Sequence, residues 1–486
     1  MDIYKNTNVI SGFLWRLLER MGAQTVSFVV SIVLARILEP NAYGTVALIT
    51  VFTTIMQVFV DSGLGNALIQ KKDADDLDFS TVFYVNIAFC SMLYLVMWFL
   101  APAIAGFYRD PHLIPYIRVL SLTIVVSGIK NVQQAYVSRN MLFKKFFFAT
   151  LGGTLGAAVI GIAMALNGFG VWALIAQQLF NLTVDTLILW ITVPWRPRKQ
   201  FSLARLSTMF SYGWKLLVST LLDTGYNNLR QLLIGRVYSR ADLAYYNQGD
   251  KFPTIIITNI NSSIDSVLLP AMAHEQDDKT RIRDMTRRSI TISTYIMGPL
   301  LIGMAACAES IVHIILTDKW IFCVPYMRIF CICYLFYPIH TANLNAIKAM
   351  GRSDIFLKLE IIKKIVGVAI LLISIRISVM AIAYSLLLST AISMIINSWP
   401  NRELLGYDFY SQMKDIFTNL ILAVIMGILV YMEKWLILNT YVRLIAQIIS
   451  GAAIYLVLSA ACQNKSFRYL MVIVRNKLQG RTKKVN

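Results

Sequence analysis

The chain has 486 residues, of which 57% are hydrophobic and 15% are charged, and its mean hydropathy is +0.62. Soluble domains are typically about one quarter charged, so this composition excludes an ordinary soluble protein and indicates a polytopic membrane protein. The net charge of +19 would suit a nucleic-acid-binding protein, but no basic loop holds the clustered aromatic residues of a base-stacking surface, which argues against nucleic acid as a partner.

Apolar segments long enough to cross about 30 Å of hydrocarbon as a helix recur along the whole chain. We predict an all-α protein with about 14 transmembrane helices. In chain order they are expected over 12–34, 43–64, 80–101, 115–136, 148–167, 171–193, 212–232, 252–271, 290–309, 325–345, 358–375, 379–397, 415–432 and 440–461. Gly152 and Gly156, one helical turn apart in the fifth span, predict a close contact with a neighbouring helix.

The distribution of Lys and Arg predicts the orientation of these helices. The basic residues concentrate on one side of the pattern, including the loop around Arg283 and the tail from Lys465 to Lys484. Cytoplasmic loops are enriched in Lys and Arg, so we expect a multi-pass protein of the cytoplasmic (inner) membrane with both termini cytoplasmic. The N-terminus lacks an uninterrupted apolar core and a small-residue cleavage site, so we expect it to be retained as part of the first helix.

The sequence contains no motif that predicts catalysis. It has no G-x-x-x-x-G-K-[ST] phosphate loop, no H-E-x-x-H metal pair and no G-x-S-x-G elbow. Cys331 and Cys333 have no histidine or second cysteine pair nearby, so with Cys90 and Cys307 they are predicted to be buried thiols. We therefore expect no catalytic residues, no metal site and no cofactor.

A weak internal repeat links the two halves of the chain. The segment LARILEPNAYGTVAL (34–48) is echoed by IGRVYSRADLAYYNQ (234–248), and a tighter match follows in the next helices. There Thr50, Thr54, Gln57 and Asp61 have the same spacing as Thr254, Thr258, Asn261 and Asp265, and this spacing places each set on one face of a helix.

The repeat predicts the domain organisation. Its offset corresponds to six helices, an even number that preserves orientation, so we predict two parallel six-helix lobes around a central cavity. The predicted divisions are 1–200, 201–410, and 411–486, the last comprising two additional helices and a basic cytoplasmic tail.

Two predicted helices carry polar stripes. Helix 1 has Arg16, Glu19, Arg20, Gln24, Ser27 and Ser31; helix 7 has Asp223, Tyr226, Asn227 and Arg230, with Lys215 nearer the cytoplasm. A charged residue at the centre of a membrane helix costs about 2.5–3.5 kcal/mol, so we expect both stripes to face the cavity between the lobes. Lys130 in helix 4 and the pair Lys363 and Lys364 in helix 11 are further candidates.

Structural roles compete with functional ones for these residues. Arg16 and Glu19 can form an intrahelical pair that locks helix 1 to its neighbour. Asp61 and Asp265 can simply lie near the headgroups at their helix ends, and the lysine pair of helix 11 can snorkel to the interface. The doubled stripe at matching positions favours a functional role.

Five segments resemble the polysaccharide transporters, or Wzx-type oligosaccharide flippases, of the MOP superfamily, especially the branch of exopolysaccharide and lipopolysaccharide biosynthesis. They are LARILEPNAYGTVAL, FVDSGLGNALIQKKD (59–73), YVSRNMLFKKFFF (136–148), GFGVWALIAQQL (168–179) and GRVYSRADLAYYNQGDKF (235–252). They span the first eight predicted helices; beyond about residue 320 the resemblance is one of architecture.

The resemblance implies two six-helix lobes, two added helices, and alternating access. It implies a polyprenyl-diphosphate-linked oligosaccharide as the substrate, moved from the cytoplasmic to the outer leaflet. Membrane lipids, and a polymerase or glycosyltransferases of the same pathway, are the expected partners. Coupling to H+ or Na+ or to the membrane potential is an open alternative for the driving force.

Residue chemistry suggests how such a substrate is held. Arginine suits a diphosphate because its guanidinium grips phosphate oxygens in a bidentate fork, and the candidates are Arg16, Arg20 and Arg230, with Lys215 behind them. Candidates for neutral hydrogen bonds to sugars are Gln24, Gln57, Tyr226, Asn227 and Asn261. Candidates for coupling or gating are Glu19, Asp61, Asp223 and Asp265.

Two other functions stay open. A multidrug or cation antiporter of the related MATE type should have a net acidic cavity, whereas helices 1 and 7 offer more basic than acidic residues. A membrane polymerase or ligase should have a sizeable outer loop with acid, base or arginine residues, and the sequence has none. The pattern therefore favours a carrier for an anionic substrate.

Overall fold

The computed structural model describes the backbone of residues 2–61, 64–71 and 73–478. Within these ranges, the structure describes the side chains at all positions except 2–14, 16, 17, 20, 66, 70, 208–213, 215, 216, 473, 474, 477 and 478. The described ranges are helical and contain no strand. The all-α prediction is confirmed.

The chain forms two compact units, Met1–Ala244 and Tyr245–Asn486. Helices of the first unit are α1 (Asp2–Ile37), α2 (Pro40–Asp61), α3 (Leu64–Gln70), α4 (Asp76–Phe107), α5 (Leu113–Leu120), α6 (Leu122–Arg139), α7 (Phe143–Leu166), α8 (Val171–Thr192) and α9 (Leu203–Val237). The division at 200 predicted from the repeat stays a prediction.

The second unit begins within α10 (Arg240–His274). It continues with α11 (Lys279–Ile311), a π-helical segment (Val312–Leu316), a 3-10 segment (Asp318–Cys323), α12 (Val324–Leu335), α13 (Tyr337–Ala349), α14 (Ser353–Ser374), α15 (Val379–Leu405), α16 (Phe409–Leu436), α17 (Thr440–Ala461) and α18 (Lys465–Leu478).

Each predicted span overlaps a helix or a pair of helices. In the described part of the chain, 11 helical segments are long and apolar enough to cross a membrane, so the chain is a multi-pass membrane protein. The total of 14 stays a prediction. A total of 14 requires that α1, α9 and α14 also span the membrane. These three helices carry the polar residues discussed above, and charged residues lower the mean hydropathy of a helix.

Small residues set the closest helix contacts, as expected where lipid offers no hydrophobic drive for helix association. A Cβ added to Gly152 would lie 2.7 Å from Ile188 on α8, and one added to Gly156 would lie 2.8 Å from Phe180. The contact predicted from these glycines is therefore confirmed, and it joins α7 to α8. The four cysteines predicted to be buried thiols are also buried and free.

The echoed segments form two equivalent turns. Helix α1 ends at Ile37 and α2 begins at Pro40; α9 ends at Val237 and α10 begins at Arg240. The same two-residue connection thus occurs 200 positions apart. Both turns lie in the first unit, where the Arg240 guanidinium bonds to Asp110 and to Thr45 Oγ1.

Capping interactions fix helix ends that hydropathy alone leaves undefined. Asp75 caps α4 in a capping box with Asp78, which satisfies otherwise orphaned backbone donors. Asn464 caps α18 by accepting from the backbone of Ser466 and Phe467 at 2.9 and 3.1 Å. The basic tail predicted from Lys465 onward is therefore helical as far as Leu478.

Candidate functional site

A polar pocket of about 360 Å³ opens within the first unit, between α2, α6, α7 and α8. Its volume is at the lower end of the range of about 300–1,000 Å³ for small-molecule sites. The lining residues are Thr50, Thr53, Thr54 and Gln57 on α2; Thr123, Ser127 and Lys130 on α6; Thr150 on α7; and Gln178, Asn181, Leu182 and Asp185 on α8. Most of these side chains are neutral and polar.

Helical periodicity explains why these residues converge. The polar residues of α6 recur at steps of four and three, and those of α8 at three and four, so each set occupies one face of its helix. Polar side chains within a membrane bundle turn away from lipid. Two polar faces, joined by that of α2, therefore enclose a concave surface.

One ion pair lies in the pocket. Lys130 Nζ is 2.5 Å from Asp185 Oδ2, and the two side chains are 14% and 9% exposed. Charges within a membrane are tolerated when they are paired, so each residue compensates the other. The second carboxylate oxygen of Asp185, Oδ1, is buried and has no hydrogen-bond partner in the described part of the chain.

Three of the predicted site residues belong to this region. Gln57 lines the pocket and donates to Asp61 Oδ1 at 3.1 Å. Glu19 accepts a hydrogen bond from Thr150, a lining residue, at 3.3 Å. The structure thus brings candidates from helices 1 and 2 together around one pocket.

The predicted residues of helix 7 lie on α9, which contributes none of the pocket lining described above. Asp223 and Asn227 are exposed, and Tyr226 and Arg230 are half-buried. Arg230 Nε is buried without a hydrogen-bond partner among the described residues. Gln24 on α1 is exposed, and the side chains of Arg16, Arg20 and Lys215 lie outside the described residues.

The predicted residues of helix 8 pack within the second unit. Asn261 donates to Thr341 Oγ1 at 2.6 Å, and Asp265 accepts from Asn345 at 2.7 Å. Both partners on α13 are 80 residues further along the chain, so the two helices pack in a fixed parallel register. These side chains therefore have a packing role, beside which the predicted binding and coupling roles stay predictions.

Sequence reasoning missed several residues of the pocket. Thr123, Thr150, Gln178, Asn181 and Asp185 line it. The first four are uncharged and lower the hydropathy of a span too little to stand out, and Asp185 is a single charge in an otherwise uncharged span. Their signal is spacing: Gln178, Asn181 and Asp185 recur on one face of the sixth predicted helix. Lys130, considered a further candidate above, is part of the site.

Comparison with known proteins places these features in a family context. Residues 33–325 match the family described as "Polysaccharide biosynthesis protein". Teichuronic acid biosynthesis protein TuaB of Bacillus subtilis is 23% identical, covering 93% of this chain and 95% of TuaB. Succinoglycan biosynthesis transport protein ExoT of Rhizobium meliloti is 24% identical, covering 95% and 94%. Lipopolysaccharide biosynthesis protein WzxC of Escherichia coli is 25% identical, covering 73% and 72%.

Solved structures show the same fold. Lipid II flippase MurJ in an inward closed conformation aligns with a TM-score of 0.72 at 14% identity, covering 96% of this chain and 99% of MurJ. An inward-facing multidrug resistance MATE family transporter of the MOP superfamily aligns with a TM-score of 0.61 at 14% identity, covering 80% and 98%. The fold implied by the resemblance is therefore confirmed.

Proposed function

The chain belongs to the polysaccharide biosynthesis protein family, and from that premise we propose that it is a flippase for a polyprenyl-diphosphate-linked oligosaccharide. It moves this lipid from the cytoplasmic to the outer leaflet by alternating access of two lobes. The observation that carries the proposal is the open, largely neutral polar pocket inside a bundle of membrane-spanning helices. The relatives named above act in the biosynthesis of teichuronic acid, succinoglycan and lipopolysaccharide.

The physical need for such a carrier lies in the sugar hydroxyls. An unpaired polar group in hydrocarbon costs several kcal/mol, so a glycan headgroup does not cross the bilayer unaided at a useful rate. A protein that offers hydrogen-bond partners along the way removes this cost. The polyprenyl chain can stay in lipid.

The diphosphate is assigned to the cationic residues of α1 and α9. Arg230 is a suitable ligand because its buried Nε has no partner among the described residues, and a guanidinium forms bidentate bonds with phosphate oxygens. We assign Arg16, Arg20 and Lys215 to the same role from their sequence positions. If Arg20→Ala and Arg230→Ala both leave flipping intact in correctly inserted protein, the assignment is wrong.

The direction of transport follows from the charge of the substrate. Each negative charge that moves outward down an inside-negative potential contributes about 2.3 kcal/mol per 100 mV. The membrane potential can therefore favour export, with H+ or Na+ coupling through Asp61 or Asp265 as the rival driving force. We place the protein in the cytoplasmic membrane with both termini inside, beside the polymerase or glycosyltransferases of the pathway.

The proposal is tested in proteoliposomes that contain a fluorescent polyprenyl-diphosphate oligosaccharide. We expect the purified protein to make the inner-leaflet pool accessible to an externally added glycosidase. The second candidate is cation export, favoured only by the shared fold of the MATE transporter. Export of a cationic dye without lipid flipping would replace the proposal with that alternative.

A further inference from the structure

Several groups in the pocket between α2, α6, α7 and α8 are available as hydrogen-bond acceptors. Three of its threonines donate their hydroxyl hydrogen to a carbonyl of their own helix: Thr50 at 2.8 Å, Thr53 at 3.1 Å and Thr123 at 2.6 Å. A hydroxyl whose hydrogen is used in this way still has lone pairs to offer. These side chains can therefore accept hydrogen bonds from a ligand that carries donor groups.

Two more groups of the pocket fit this description. Thr150 donates to the carboxylate of Glu19 at 3.3 Å, so its hydroxyl hydrogen is also used. The buried Oδ1 of Asp185 is an acceptor without a partner in the described part of the chain. An unsatisfied buried acceptor is costly, so a donor from a ligand would be stabilised there.

The charge balance narrows the class of ligand. A phosphate group is disfavoured, because its oxygens are chiefly acceptors at neutral pH. The cation of the pocket, Lys130, is already paired with Asp185 at 2.5 Å. A cation would find the carboxylate already neutralised by that ammonium group. A neutral polyhydroxyl group meets neither penalty and supplies the donors that the acceptors need.

We propose that this pocket binds a sugar residue of the lipid-linked glycan through its hydroxyl groups, separately from the diphosphate. The pocket volume of about 360 Å³ accommodates part of a glycan and not a whole lipid-linked oligosaccharide. Thr50 on α2, Thr123 on α6 and Asp185 on α8 accept hydrogen bonds from the sugar hydroxyls. This assignment rests on the proposed function, because it names the part of that substrate which the pocket recognises.

The test compares two probes on the purified full-length protein: a polyprenyl-diphosphate disaccharide and the same polyprenyl diphosphate without sugar. The variant Thr50→Val/Thr123→Val keeps the shape of both side chains and removes two acceptors. Thr154→Val is the matched control, since Thr154 is buried on α7, donates to a carbonyl of its own helix at 2.7 Å, and is not part of the lining.

We expect the double variant to bind the disaccharide-bearing lipid about tenfold more weakly, the loss expected for two neutral hydrogen bonds, and the sugar-free lipid as before. Equal losses for both probes, or no loss for either, would overturn the sugar assignment. Loss of sodium binding with unchanged glycan binding would also overturn it and assign a cation. If the unaltered protein binds neither probe, the proposed function itself fails.

Discussion

Gly44 of α2 lies directly against the backbone of Arg240 at the start of α10: a Cβ added to Gly44 would be 1.9 Å from the Arg240 carbonyl oxygen. The two residues belong to the two echoed segments, 34–48 and 234–248, so these segments pack on each other within the first unit. The Arg240 side chain reinforces the contact by bonding to Asp110 and Thr45. A backbone atom cannot move aside as the end of a flexible side chain can.

We therefore expect Gly44→Val to destabilise the protein by about 1–3 kcal/mol, the cost of overpacking a close contact. Gly106→Ala is the control, because a Cβ at that position would meet nothing within 4 Å. Thermal unfolding of the purified variants in detergent measures both effects. Equal melting temperatures for the two variants would show that the contact tolerates a side chain.

The buried pair of Lys130 and Asp185 gives a second prediction. Removing one partner leaves the other charge uncompensated, so we expect Lys130→Met to cost about 3–5 kcal/mol of stability. The double variant Lys130→Met/Asp185→Asn should recover part of that loss, because no buried charge remains. A double-mutant cycle measures the coupling. Purely additive losses would mean that the two charges do not depend on each other.

The cap of α4 predicts a dependence of stability on pH. The hydrogen bond from Arg205, at 2.5 Å, is the main cause that lowers the pKa of Asp75 from its ordinary 3.8 to about 2. A lowered pKa in the folded state means that the charged form adds stability above pH 3.8, and that this contribution is lost as the pH falls towards 2. The effect is small because the side chain is about half exposed.

Asp75→Asn isolates this charge, because asparagine caps a helix about as well as aspartate. We expect the stability difference between the unaltered protein and the variant to shrink as the pH is lowered from 5 to 2, the interval that spans the two pKa values. With Arg205→Met present in both proteins, the difference should change much less over that range, because the largest cause of the lowered pKa of Asp75 is removed. Unfolding followed by circular dichroism at several pH values measures it, and a difference that grew on acidification would contradict the assignment.

Asp265 tests the coupling role proposed for α10. Asp265→Asn retains an oxygen that can accept the hydrogen bond from Asn345 at 2.7 Å, so the packing between α10 and α13 should survive. If protons are coupled through this carboxylate, the variant should lose any pH dependence of flipping. Asn345→Ala, which breaks the same contact and keeps the carboxylate, is the control. Unchanged pH dependence in Asp265→Asn would rule the coupling role out.

The sequence predicted helix positions well because apolar runs report membrane spans directly. It did not predict the break at Ser121 between α5 and α6, since Ser121 lies within an apolar run with no glycine or proline at the break. Both echoed turns were found because the break in hydropathy coincides with a repeated pattern. A local residue pattern was therefore sufficient to predict a helix end where it coincided with a break in hydropathy.

The site was harder to predict. The spacing of Gln57 and Asn261 placed both on polar helix faces, but spacing does not predict whether such a face lines a pocket or packs against another helix. In the structure Gln57 lines a pocket, whereas Asn261 donates to Thr341 on α13. The rotation of each helix depends on packing against its neighbours, which the sequence of one helix does not contain.

The most direct test of the central claim is the lipid-linked glycan pool in cells with and without this gene, resolved by leaflet with an externally added glycan-modifying enzyme. For a flippase, we expect loss of the gene to make a polyprenyl-diphosphate oligosaccharide accumulate on the cytoplasmic side, protected from the enzyme, and its mass identifies the cargo. An unchanged pool, together with increased sensitivity to cationic drugs, would contradict the flippase and support a cation exporter.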